Sequence, residues 1–207
     1  MMKEPAYKIE YCTDDVDQAI AYAHLYNQLE FCANLQLDGL TPSVHDVAKI
    51  LKAGISNVKV MIRSRPGDFV YTEEDMEVMK AQVRSFLTMG VKRFVFGAIK
   101  KGRLDIKAIM TIAGLLEGKE LCVHKAIDQS ADIIGDLNLL LNIENVKEVL
   151  SSGGAATAME GSAMLKQIVS FAQNRIDIIA AGKVTKDVLV EVHQKIGAPV
   201  YHGRKII

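Results

Sequence analysis

Arg63 and Arg65 lie two residues apart at the end of a β-rich run, and side chains along a strand alternate between its two faces. Shared parity predicts that both guanidinium groups face the same way, with Met61 behind them. Arginine suits carboxylate and phosphate because its planar fork donates two parallel hydrogen bonds. Glu30, on an earlier run, is placed to orient such arginines or to act as a base. His124 can exchange protons near neutral pH, and Asp68 follows the arginines in the turn Arg65-Pro66-Gly67-Asp68-Phe69. Together these residues predict a site for a small anion. The alternative is a structural lattice of arginine and glutamate, because charges in a closed interior are costly unless paired.

The cysteines suggest a different chemistry. Cys12 and Cys32 end two similar segments, Ile9-Glu10-Tyr11-Cys12 and Leu29-Glu30-Phe31-Cys32, at matching positions on successive runs. Neighbouring strands lie about 4.8 Å apart, so two facing thiolates there suit a soft ion such as Cu(I). A free cysteine is equally a small buried apolar residue, which is how Cys122 reads. Two glycine-containing segments, Ser151-Ser152-Gly153-Gly154 and Ala181-Gly182-Lys183-Val184-Thr185, precede helical patterns. Backbone N–H groups in such places can hold phosphate, which makes Gly153, Gly182 and Lys183 anion-binding candidates. Plain strand-to-helix connections need short glycine turns as well.

These groups must be positioned by the elements around them. Eight short runs rich in Val, Ile, Leu or Phe read as strands: Lys8–Cys12, Gln28–Cys32, Val58–Arg63, Arg93–Gly97, Glu120–His124, Glu148–Ser152, Asp177–Ala181 and Pro199–His202. Seven amphipathic stretches alternate with them, and Thr72 with Asp75 has the spacing of a capping box. Strand-then-helix repetition calls for parallel strands joined by right-handed crossovers. Eight strands, with no G-x-G-x-x-G after the first, predict an α/β fold: one (β/α)8 TIM barrel over residues 1–207. Parity then turns Glu10, Cys12, Glu30, Cys32, Met61, Arg63, Arg65, Cys122, His124 and His202 into the lumen. Leu29, Phe31, Ile62 and Val123 face the helices. The last strand lacks a following helix, which leaves a flank for a second copy, so a homo-oligomer, dimer or larger, is expected.

Composition narrows the partners. Lysine plus arginine and aspartate plus glutamate both number 25, so the net charge is zero and bulk electrostatics give no grip on nucleic acid. No apolar stretch approaches the ~18 residues of a membrane span. Met1-Met2-Lys3-Glu4-Pro5 lacks the apolar core of a secretion signal. Three widely spaced cysteines make no disulfide framework, and a cytoplasmic location with reduced thiols follows as the expectation.

Several segments in this order resemble the CutC copper-homeostasis proteins: Glu30-Phe31-Cys32, Gly39-Leu40-Thr41-Pro42-Ser43, Met61 to Tyr71, His124-Lys125-Ala126-Ile127-Asp128 and Leu150-Ser151-Ser152-Gly153. The likeness runs from about Ile9 to His202. It implies a cytosolic, oligomeric barrel linked to copper handling and credited with copper binding. The cysteines ending the family's first two strands are proposed copper ligands, and Cys12 and Cys32 match them. There are departures. Asn27-Gln28 replace an arginine-containing approach to the second strand, and the family's R-P-R-G-G-D-F reads Arg63 to Phe69 with Ser64 and Pro66 exchanged in. Lys125 replaces the arginine of H-R-A-F-D, which removes a bidentate fork but keeps a positive charge among the anion-binding candidates. Two functions follow from this. One is a cytosolic Cu(I)-binding homeostasis protein using Cys12 and Cys32. The other is a barrel enzyme for a small anionic substrate, with Glu30, Arg63, Arg65, Asp68, His124 and Asp128 as catalytic candidates.

Overall fold

The computed structural model describes residues 7–207, so the reading of residues 1–5 as lacking a secretion signal lies outside the described residues. Eight parallel strands close into a barrel: β1 (Lys8–Thr13), β2 (Gln28–Phe31), β3 (Val58–Met61), β4 (Arg93–Phe96), β7 (Glu120–Val123), β8 (Val146–Ser151), β9 (Asp177–Ala180) and β10 (Val200–Gly203). The circuit closes where β10 pairs with β1, Glu10 opposite His202. Seven α-helices among the described residues lie outside it: α1 (Val16–Ala21), α2 (Val44–Lys52), α3 (Glu73–Thr88), α4 (Ile106–Leu115), α5 (Ile133–Leu140), α6 (Ser162–Ala172) and α7 (Leu189–Ile196).

Local chemistry sets the helix ends. Asp15, Ser43, Asp105 and Asp132 each accept a backbone N–H from the first turn of α1, α2, α4 and α5. Thr72 and Asp75 form the expected reciprocal capping box on α3. Gly197, at φ +71°, ends α7 in the left-handed region, where an L side chain is strained.

Between β4 and α4 the chain makes a hairpin that sequence patterning did not anticipate, β5 (Ile99–Lys100) with β6 (Arg103–Leu104). Its two-residue turn, Lys101-Gly102, has positive φ at both positions, as a tight hairpin needs. The hairpin braces the barrel mouth. Ala131 donates its N–H to the Gly102 carbonyl, and Arg103 pairs with the buried Asp136 at 2.6 Å.

The sheet separates two cores. Leu29, Phe31, Val60, Phe94, Phe96, Leu121, Val123 and Ile178 point outward and are buried under the helices. Burying each such side chain is worth roughly 1.5–3 kcal/mol. Inside the barrel, Cys12, Cys32, Met61, Val95, Cys122, Leu150, Ile179 and Val200 form a smaller apolar layer. Beneath it, toward the N-terminal ends of the strands, lies a polar layer. The Lys59 ammonium, fully buried, pairs with Glu10 and with Glu148 at 2.6 Å. Arg93 reaches Glu148 at 2.7 Å and Glu120 at 2.9 Å, and Gln28 bonds Glu10 and Glu148. A structural charge lattice therefore does fill part of the lumen, but it is built from Lys59 and Arg93, not from Arg63 and Arg65.

Around β10, the outward side chain of Tyr201 is fully buried and stacks edge-on against Tyr7 and His193. Ile20, Tyr22 and Leu25, in and just after α1, and Val190 on α7 are exposed apolar groups.

Candidate metal and ligand site at the barrel mouth

A cavity of about 410 Å³ opens above the apolar layer at the C-terminal ends of the strands. That is the end where barrel enzymes carry their chemistry. Cys12, Glu30, Cys32, Arg63, His124, Lys125, Asp128 and His202 all line it.

One wall holds sulfur, oxygen and nitrogen donors. Cys12 sits opposite Glu30 in the β1–β2 register, and its thiol donates to Glu30 Oε1 at 3.5 Å. Cys32 lies beyond the end of β2 and donates to the Thr13 carbonyl at 3.9 Å. The two cysteines are thus staggered, not directly opposite as their matching positions suggested, because the stagger that closes a barrel offsets neighbouring strands. The neighbouring Cys32 thiol, burial and the negative charge of Glu30 push the Cys12 thiol well above its usual value. Gly39, at φ +82°, passes so close that an added Cβ would lie 3.2 Å from Cys32 Sγ.

His202 completes this wall. Donor atoms from Cys12, Glu30 and His202 lie within 4.8 Å of one another. His202 Nδ1 bonds Glu10 Oε1 at 2.8 Å, linking the cavity to the lattice below. Burial opposes charge on His202, yet the neighbouring carboxylates Glu30 and Glu10 raise its pKa overall. Burial also pushes Glu30 up, reinforced by Glu10, and its Oε2 has no protein partner among the described residues. Glu10 behaves in the opposite way. Burial resists its ionisation, but Lys59 and then His202 hold it down at about 2.

The facing wall carries Arg63 and His124. Arg63 is buried, and its guanidinium donates to the carbonyls of Leu37, Asp38, Gly39 and Gly67 at 2.7–3.2 Å. It also lies 4.8 Å from the Phe69 ring centre. His124 Nδ1 accepts the Ala126 N–H at 3.1 Å, which places the ring proton on Nε2. Burial, then the charge of Arg63, lowers the His124 pKa to about 3, so the ring is neutral.

Other anticipated site residues are engaged elsewhere. Arg65 leaves the lumen. It pairs with Asp75 and Asp68 at 3.0 and 2.9 Å and stacks over Tyr71, and neither Arg65 nor Asp68 lines the cavity. Parity fails there because β3 ends at Met61. Asp128 anchors a loop: it accepts from the Ser151 hydroxyl, from Ser152 N and Oγ, each at 2.8 Å, and from Gly154 N at 3.0 Å. Gly153 N is spent on the Ser151 hydroxyl. Lys125 stands at the rim, 3.9 Å from Asp128. Gly182 and Lys183 do not line the cavity, and Lys183 is exposed. Gly182, at φ +106°, instead lets this turn pack against Ser152 and Ala158, since an added Cβ would lie 2.9 Å from each.

The CutC family model matches residues 7–207. The chain belongs to the CutC family. The human copper homeostasis protein cutC homolog is 32% identical over 199 residues, covering 95% of this chain and 72% of the human one. A CutC family protein of Glaesserella parasuis is 29% identical, covering 94% of this chain and 81% of that one. The solved structure of CutC from Streptococcus agalactiae superposes with a TM-score of 0.90 at 26% identity, over 97% of this chain and all of that one. That likeness fits the closed barrel seen in this CutC family member. No helix among its described residues is long and apolar enough to cross a membrane.

Sequence reasoning overlooked two groups. Lys59 has the same parity as Met61 and Arg63, so alternation alone reveals it as inward. Arg204, at the rim with Nη2 on the Leu35 carbonyl at 2.7 Å, follows β10 and has no parity signal.

Proposed function

We propose that this CutC family protein handles copper in the cytoplasm by binding one Cu(I) ion at the barrel mouth. Cys12 and Cys32 supply the soft ligands, with the His202 imidazole and Glu30 beside them. The observation that carries this reading is the clustering of Cys12, Glu30 and His202 donors within 4.8 Å, in a cavity that Cys32 also lines. Thiolate and imidazole suit Cu(I), whereas carboxylate alone favours harder ions. The ligands must lose protons to bind, so loading releases protons to solvent. Glu30 accepts the Cys12 proton contact in the free protein and is placed to take that proton. The copper-homeostasis names of the human and mouse relatives agree with this reading.

Anaerobic Cu(I) titration against a competing chelator tests it. One tight equivalent is expected, weakened in Cys12→Ser and Cys32→Ser by more than the ~100-fold that loss of a mere supporting group causes. Unchanged affinity in the double variant removes this pair as the site.

A further inference from the structure

Arg63 is a buried cation without a counter-ion. It is 2% exposed, its partners are four neutral carbonyls, and among the described residues no carboxylate pairs with it. Among the described residues its Nε–H makes no hydrogen bond, and neither do the His124 Nε2–H and the hydroxyl of Tyr71, which lies beside Arg63. Both residues line the cavity, and both pack against the ring of Phe69, at 4.8 and 4.6 Å. Buried donors in native proteins almost always find a protein, water or ligand partner, and an unpaired buried charge is costlier still. Asp128, an acid that lines the cavity, is already held by Ser151, Ser152 and Gly154.

We propose that the cavity binds a small organic monocarboxylate, its oxygens held by Arg63 Nε–H and His124 Nε2–H and its apolar body lying against Leu35, Met61 and Leu150. The donor count selects a carboxylate over a phosphate. One buried positive charge and two free N–H groups match a single negative charge shared by two oxygens. A phosphate needs more donors, and the loop amides that would supply them are already spent, Ser152 and Gly154 on Asp128 and Gly153 on Ser151. Lys125 and Arg204 at the rim add positive charge along the entry path. The inference does not depend on the thiol pair or on copper.

The test uses the full chain, metal-free and reduced, labelled with nitrogen-15 and titrated with sodium butyrate at constant ionic strength. Saturable shifts are expected for the Arg63 Nε and His124 Nε2 resonances. His124→Phe, which keeps a flat ring against Phe69, should weaken butyrate at least about 10-fold by loss of one charge-assisted hydrogen bond. Arg63→Lys should abolish the binding; if that variant loosens the loop it ties at Leu37–Gly39, His124→Phe decides alone. Absence of saturable shifts in the wild-type chain overturns the proposal, as does unchanged affinity in His124→Phe. Inorganic phosphate binding more tightly than butyrate overturns the choice of carboxylate.

Discussion

The Cys12 thiol donates to Glu30 Oε1 across the β1–β2 pair, so a thiol and a buried acid share one proton contact at 3.5 Å. The charge of Glu30 is one of the causes that raise the Cys12 pKa. Glu30→Gln should therefore move the pH midpoint of Cys12 alkylation downward. Iodoacetamide labelling rates, mapped to Cys12 by mass spectrometry across the alkaline range, read this directly. An unmoved midpoint would show that Glu30 exerts no electrostatic hold on the thiol.

Lys59 binds the lower lumen together through Glu10 and Glu148, all three side chains being almost wholly buried. Replacing it by Met leaves Glu10 and Glu148 without the cation they share, Arg93 and His202 remaining as their separate partners. A loss of about 3–5 kcal/mol is expected, the range for breaking a buried pair from one side. Arg65→Ala, in contrast, removes a partly exposed cluster and should change stability little. Urea denaturation of the two variants checks the ordering, and an equal effect would contradict the assignment of the lattice to Lys59.

His124 gives the fold a defined acid sensitivity. Its folded pKa of about 3 lies below the ordinary 6.5, because burial and Arg63 disfavour the charged ring. The stability from keeping it neutral is fully present above pH 6.5. It is lost as pH falls toward 3, because the unfolded chain takes up a proton that the folded one refuses. His124→Phe should flatten the stability profile across that window by up to one proton, about 1.4 kcal/mol per pH unit. Parallel profiles for the two proteins would exclude His124 as the source.

Much of this site was legible because strand periodicity is two. Parity alone turned Cys12, Glu30 and His202 inward and Leu29 and Phe31 outward, as found. Eight predicted strands also implied closure. What escaped detection has physical causes. Arg65 follows the end of β3, where alternation no longer governs direction, and Asp75 on α3 captures it instead. The pairing of Cys12 with Glu30, not with Cys32, depends on barrel stagger, a property of the closed sheet and not of either strand. The Ser151 to Gly154 amides had the look of an anion cradle, but their partner, Asp128, comes from a different loop 23–26 residues earlier.

Exposed apolar groups on and after α1 and on α7 are the ground for expecting assembly. Val190 is 60% exposed and Leu25 46%, with Ile20 and Tyr22 close in sequence to Leu25. A homodimer or larger species is expected, weakened by Val190→Glu or Leu25→Glu. Light scattering at micromolar concentration reads the mass, and a strictly monomeric wild-type chain would contradict the expectation.

Copper-edge X-ray absorption on the protein loaded anaerobically with one equivalent of Cu(I) reads the ligands of the proposed copper site. Two sulfur neighbours are expected at the metal, from Cys12 and Cys32, with one lost in either Cys→Ser variant. A spectrum showing only nitrogen and oxygen neighbours, or one unchanged in the double variant, would contradict this expectation.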